Sequence, residues 1–120
     1  MIEPTRVSDG PLFDDHAAWF REIGMTVGVA RVVFRLHGND SLKEKRRVVK
    51  SLVEKSRHRF NVSVAEVADQ DVHQRTTIGV CVIGNDGRLL NSLLDRIIDF
   101  MDSLNLADLV DQEIELIPLG

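Results

Sequence analysis

A chain of 120 residues has room for one packed core but not for two, and its 43% apolar and 28% charged residues are typical of a globular domain rather than a disordered chain. No apolar run approaches the roughly 18 residues needed to span a bilayer, and the N-terminus has neither the basic start nor the apolar stretch of a secretory signal. The single cysteine, Cys81, excludes an internal disulfide, so we expect a cytoplasmic protein with no membrane partner.

The net charge of −4 conceals a strong asymmetry along the chain. Residues 31–59 contain ten Lys or Arg against three acidic residues, a local balance of +7. Residues 86–120 contain eight acidic residues against two Arg, a balance of −6. The two regions could neutralise each other in the fold, or the basic region could meet an anionic partner, and composition leaves both alternatives open.

Residues 1–24 form an N-terminal extension. Beyond Pro4 and Pro11, apolar residues recur at helical spacing, which predicts a short amphipathic helix over residues 12–23. We expect this helix to pack on its own domain or on a second copy of the chain. The alternative is a loosely attached tail that precedes the folded domain.

Residues 25–37 show a period of two, with alternate side chains on opposite faces, and are rich in β-branched residues, which predicts a first strand. Ser41 and Glu44 then have the spacing of a capping box, so we predict a helix that begins there and ends near Phe60. Apolar or small residues mark its buried side: Leu42, Val49, Leu52, Val53, Ser56 and Phe60.

Residues 61–68 and 76–84 read as two more strands, and the polar segment between them is too short for a helical crossover. We therefore predict an antiparallel hairpin. Residues 85–87 supply a turn and an N-cap for an amphipathic helix over residues 88–104.

Residues 109–119 predict a fourth strand, in which Pro118 suits an edge position. The order β-α-β-β-α-β predicts an α+β domain of the ferredoxin-like, split β-α-β class over residues 25–120, with a four-stranded antiparallel sheet and two helices on one face.

The sheet face away from the helices is expected to be unusually apolar, since Val27, Val29 and Val33 share it with Arg31 and Arg35. We expect a partner, a second copy or the N-terminal helix to cover it. The first and last strands are neighbours in this topology, so Arg31 and Arg35 are predicted to pair with the acidic residues of the last strand, Glu113 and Glu115.

The first helix carries the most informative pattern for function. Its opening turns are rich in cations, although a helix N-terminus disfavours positive charge, so cations and free N–H groups together predict an anion site, most naturally for phosphate. Further cations continue the cluster at helical spacing, as a surface that follows a nucleic-acid backbone requires. The candidate contacts are Lys43, Lys45, Arg46, Arg47, Lys50 and Arg57.

The alternative for these cations is a solvated or internally paired face. Asp40, Glu44, Glu54 or the acidic side of the second helix could neutralise them. Lys45 differs from the others because it falls within the apolar arc of the helix. We predict that it snorkels past the sheet edge, or else reaches an acid such as Glu66 or a bound anion.

Other chemistry has weaker support. Asp69, Asp71 and His73 alternate and could converge on a metal ion, but no Cys or His cluster accompanies them, and we predict no metal and no cofactor. Cys81 is predicted to be an inert core thiol. No glycine-rich phosphate loop, H-E-x-x-H or G-x-S-x-G motif occurs, so we predict no enzymatic activity. Phe34 is in phase with core residues, which argues against an aromatic sheet surface that stacks bases.

Two blocks, residues 41–47 and 59–67, are followed by Gln70, Asp71, Gln74, Arg75 and residues 78–80 in a distinctive series. Through them the chain from Met25 onward resembles the YlxP-like family of small bacterial proteins of uncharacterised function. The resemblance implies the ferredoxin-like fold. Members' genes often lie among those for translation initiation and ribosome maturation factors, which suggests a connection with RNA.

The family has no established activity, so the resemblance assigns no site residues. Residues 1–24 have no counterpart in it, and His73 stands where many relatives are expected to carry a bulky aromatic. We predict a non-enzymatic binding module that contacts RNA or a ribosome-associated particle through the basic first helix. The alternative is a protein-interaction or homo-oligomerisation module that uses the apolar sheet face.

Overall fold

The computed structural model describes residues 24–38 and 41–120, which contain four strands and two helices. In chain order these are β1 (Met25–Arg35), α1 (Leu42–Arg59), β2 (Ser63–Ala68), β3 (Arg75–Gly84), α2 (Gly87–Ser103) and β4 (Asp108–Leu119). The predicted α+β class and the order of the elements are confirmed. The helix predicted over residues 12–23 lies outside the described residues.

The four strands form one antiparallel sheet in the order β2-β3-β1-β4. β2 and β3 are neighbours, which confirms the predicted hairpin. β1 and β3 lie at the centre, while β4 pairs with β1 alone among the described strands, so Pro118 is on an edge as predicted. Proline suits an edge strand, because about half of the N–H groups of such a strand have no partner within the sheet.

Each helix begins at a side-chain cap. The Ser41 hydroxyl accepts a hydrogen bond from the N–H of Glu44 at 3.2 Å, and the Asp86 carboxylate accepts one from the N–H of Arg88 at 3.0 Å. Such caps satisfy N–H groups that have no partner within the helix, and losing one typically costs about 1 kcal/mol. The caps fix where α1 and α2 start.

The core lies between one face of the sheet and the two helices. Alternate residues of β1, among them Val32 and Phe34, point into it and belong to the same buried cluster as Leu52 of α1 and Leu94 of α2. Gly28 allows this close packing, because a Cβ there would lie 3.0 Å from a methyl carbon of Leu94. Full burial of each large apolar side chain contributes roughly 1.5–3 kcal/mol.

The opposite face of the sheet, here called the open face, carries no helix among the described residues. Val27, Val29 and Val33 are half-buried on it, as expected, and Ile83 of β3 is 63% exposed. The prediction that Cys81 is a core residue was wrong. Val80 and Val82 occupy the core positions of β3, so strand alternation directs Cys81 to the open face, where it is exposed.

The ion pairing predicted between the first and last strands is half correct. Arg31 lies opposite Glu113, and its guanidinium is 3.1 Å from that carboxylate. Arg35 lies opposite Asp108, whereas Glu115 lies opposite Val29. Antiparallel register explains the error, because moving towards the C-terminus on one strand means moving towards the N-terminus on its neighbour.

Candidate anion-binding face of the first helix

Five of the six predicted contact residues line the side of α1 that faces away from the sheet. These five exposed cations, here called the basic stripe, are Lys43, Arg46, Arg47, Lys50 and Arg57. Leu52 and Ser56 on the opposite side are buried and hold the helix in this orientation. At a rise of 1.5 Å per residue, the stripe extends for about 21 Å along the helix axis.

The charges of the basic stripe are largely unpaired within residues 24–38 and 41–120. Lys43, Arg46, Arg47 and Lys50 make no ion pair or side-chain hydrogen bond there. Arg57 donates one hydrogen bond, from Nη2 to the Val64 carbonyl at 2.9 Å. A guanidinium carries five N–H donors, so Arg57 keeps most of its hydrogen-bonding capacity.

The internal carboxylates proposed as an alternative form no ion pair with this surface in the described part of the chain. Glu44 and Glu54 lie on the same helix without forming ion pairs to it, and the exposed acids of α2 form no ion pair with α1. Asp40 lies outside the described residues.

Lys45, the sixth predicted contact, is not part of this surface. Its side chain is 1% exposed, and its Nζ lies 3.2 Å from the Glu66 carboxylate and donates to the Asp69 backbone carbonyl. The prediction that it snorkels was therefore wrong, and the alternative pairing with Glu66 is confirmed. Because Lys45 projects from the sheet side of α1, it is inaccessible to an external phosphate.

The ion pair of Lys45 belongs to a polar network that holds the start of the β2–β3 connection. Glu66 accepts a hydrogen bond from the Thr76 hydroxyl, and the Asp69 carboxylate accepts hydrogen bonds from Arg75 and Thr77. The bonds from Arg75, and next the bond from Thr77, hold the pKa of the Asp69 carboxyl below its ordinary value.

The hydrogen bonds of Asp69 are relevant to the metal site considered for Asp69, Asp71 and His73. The Asp69 oxygens are occupied by donors of the chain itself. Within the described residues, no group of three or more His, Cys, Asp or Glu side chains is placed to hold a metal ion.

Sequence reasoning missed an aromatic pair between the C-terminal turns of the two helices. The rings of Phe60 and Phe100 pack edge to face, with centroids 5.5 Å apart and planes 80° apart. The Arg59 guanidinium lies 5.9 Å from the Phe60 centroid. Beside this pair is a surface depression, here called the helix-end depression, lined by Glu54, Lys55, His58, Arg59 and Phe100.

The open face carries a second concavity, of about 410 Å³. Gly79 forms part of its floor, and Val67, 52% exposed, lies directly over that glycine. Arg31 and Glu113 line its other side. The concavity is thus mainly apolar, with one ion pair at its border.

The sequence model of a family described as "Protein of unknown function (DUF503)" matches residues 27–114, a range that includes the whole basic stripe and both phenylalanines of the aromatic pair. The chain belongs to the DUF503 family. It is similar to "Uncharacterized protein YlxP" of Bacillus subtilis (strain 168), with 34% identity over 77 residues that cover 64% of this chain and 84% of that protein. The predicted resemblance to the YlxP-like family is therefore confirmed.

Among solved structures, this DUF503 protein is similar to the de novo designed protein Foldit4, at a TM-score of 0.44 and 18% identity. That match covers 80% of the present chain and 97% of the design. Neither helix of the described DUF503 domain is long and apolar enough to cross a membrane.

Proposed function

We propose that this DUF503 protein is a cytoplasmic, non-enzymatic binding module that contacts RNA, alone or in a ribosome-associated particle, through the basic stripe of α1. One observation carries the proposal: the five cations share one exposed helix face, and none of them has an ion-pair partner in the described part of the chain. We also propose that the domain is of the ferredoxin-like class, which the order β2-β3-β1-β4 supports.

The position of the cations favours a bound anion. Lys43 lies in the first turn of α1, where the helix dipole makes a positive charge unfavourable by about 0.3–1 kcal/mol, and Arg46 and Arg47 follow in the second turn. A phosphate at this end is attracted both by these side chains and by free backbone N–H groups. Binding would therefore relieve a repulsion that the free protein retains.

The length of the stripe suits a polyanion better than a single phosphate. At about 3.4 Å per nucleotide of a stacked strand, the 21 Å of the stripe spans about six phosphates. Arginine presents a planar fork of donors that matches phosphate geometry. Phe34, the aromatic of the central strand, is buried in the core, so we expect contacts to the backbone and little base specificity.

The test compares two double charge reversals with the same change in net charge. Arg47→Glu/Lys50→Glu alters the basic stripe, and Arg88→Glu/Arg96→Glu alters two exposed cations of α2. Fluorescence anisotropy with a labelled 20-nucleotide single-stranded RNA at low salt measures the affinity of each. We expect at least a tenfold loss in the first variant and less than a threefold loss in the second. Equal losses would show a response to net charge alone and contradict the proposal.

The open face supports a second candidate function, self-association or protein binding. Antiparallel sheets that face water usually carry polar side chains on that side, whereas here Val27, Val29 and Val33 are joined by the exposed Ile83. We propose a second copy of the chain as the occupant. Light scattering over a hundredfold concentration range tests this. The molecular mass of the wild type should rise with protein concentration, and that of Ile83→Lys should stay at the monomer value. A monomer at every concentration would contradict it.

A further inference from the structure

We propose that the helix-end depression is a stacking subsite for one nucleobase of a single-stranded RNA, with the Phe100 ring as the platform. The inference rests on the proposed function, and it assigns that function a preference for single strands. Every base has a flat π face, so a stacking platform adds affinity without demanding a sequence.

The Phe100 ring is held in place before any ligand arrives. It is half-buried on α2 and packs edge to face with Phe60 at 5.5 Å, and it still lines the depression. An edge-to-face pair restricts the tilt of each ring. A base that stacks on Phe100 therefore meets a surface whose orientation the core has already fixed.

The charges around the ring suit a nucleotide rather than a purely apolar ligand. Lys55 and Arg59 are exposed, one helical turn apart, and line the same depression as Phe100. They can hold the phosphates that flank a stacked base. Glu54 also lines the depression and would repel a phosphate, but its carboxylate can accept a hydrogen bond from an amino group on a base.

The depression lies at the C-terminal end of the helix that carries the basic stripe. Glu54 and Arg57 are i, i+3 neighbours on α1, so the last residue of the stripe is one helical turn from a residue that lines the depression, while its guanidinium is bonded to the Val64 carbonyl. We expect a strand that follows the stripe from Lys43 towards the C-terminus of α1 to reach the depression. Double-stranded RNA keeps its bases inside the helix and cannot use such a platform.

Two probes separate stacking from charge: a 10-nucleotide single-stranded RNA, which has bases, and an inorganic polyphosphate of similar charge, which has none. Phe100→Leu removes the ring and retains an apolar side chain. We expect this variant to lose RNA affinity by at least about fivefold, because base–aromatic stacking contributes that much to binding. Its affinity for polyphosphate should equal that of the wild type. Phe60→Leu is the comparison variant, since it breaks the same aromatic pair but keeps the Phe100 ring in the depression. It should weaken RNA binding less than Phe100→Leu does and leave polyphosphate binding unchanged.

A measurement on the wild type covers the case in which Phe100→Leu fails to fold. The ring-proton resonances of Phe100 should shift upfield on titration with the RNA and stay in place with polyphosphate. If the RNA binds but neither the Phe100 signals nor the Phe100→Leu affinity responds, the stacking subsite is refuted while the basic stripe stands. If the wild type binds neither probe, the proposed function fails, and this inference fails with it.

Discussion

Replacing Lys45 by methionine removes a buried charge and keeps a side chain of similar length. In the wild type, Nζ lies 3.2 Å from the Glu66 carboxylate and donates to the Asp69 carbonyl, and the Lys45 side chain is 1% exposed. The substitution removes the ammonium donor from both acceptors, although Glu66 keeps the hydrogen bond from the Thr76 hydroxyl. Removing one partner of a buried ion pair costs about 3–5 kcal/mol. Because Glu66 is 17% exposed and water can reach it, we expect a loss near the lower limit, about 3 kcal/mol.

Urea unfolding followed by far-UV circular dichroism measures this loss. Lys43→Met is the matched control, the same substitution at an exposed position of the same helix, and it should change the free energy of unfolding by less than about 0.5 kcal/mol. Adding Glu66→Gln to Lys45→Met removes the uncompensated carboxylate, so the double variant should lose at least about 1 kcal/mol less than the sum of the single losses. A Lys45→Met variant as stable as the Lys43→Met control would refute the buried pair.

Two further predictions concern the hairpin of β2 and β3. Hydrogen bonds from Arg75 and Thr77 lower the pKa of Asp69 in the folded protein. They therefore stabilise the fold fully at pH values above the ordinary pKa of an Asp carboxyl, and this stabilisation is lost as the pH falls through the lowered pKa. Asp69→Asn should therefore have a lower free energy of unfolding than the wild type at neutral pH, and the difference between the two should shrink in unfolding curves recorded at acidic pH. A difference that does not change with pH would contradict this. Gly79→Ala places a Cβ 2.7 Å from a Val67 methyl carbon. It should therefore lower the free energy of unfolding by about 1 kcal/mol more in the wild type than in a Val67→Ala background. Equal losses in the two backgrounds, measured by urea titration, would refute the contact.

Local pattern was sufficient to predict the order and class of the elements. The strand alternation of β1 and the Ser41 cap of α1 are short-range features, and each is present in the structure. The pairing of Arg31 with Glu113 followed from the predicted strand order. The error at Arg35 arose because, once Arg31 faces Glu113, the antiparallel direction places a residue N-terminal to Glu113 opposite Arg35, and a register shift between Val33 and Phe34 makes that residue Asp108.

The site was harder to predict because it depends on tertiary contacts. Lys45 has an unusual position on its helix, but its two acceptors lie on β2 and at the end of that strand, more than twenty residues away. Cys81 lies in an apolar run, where periodicity gives no sign of which residues face the helices. The Phe60–Phe100 pair joins two elements that no sequence spacing connects.

The salt dependence of RNA binding tests the basic stripe most directly. Each phosphate that a cation neutralises in a single strand contributes about −0.7 to the slope of log K against log salt, so five contacts predict a slope near −3.5 for the wild type. Arg47→Glu/Lys50→Glu should lower the magnitude of that slope by about 1.4, and Arg88→Glu/Arg96→Glu should leave it unchanged. A wild-type slope near zero, or one that both variants share with the wild type, would contradict the assignment of α1 as the RNA-binding face.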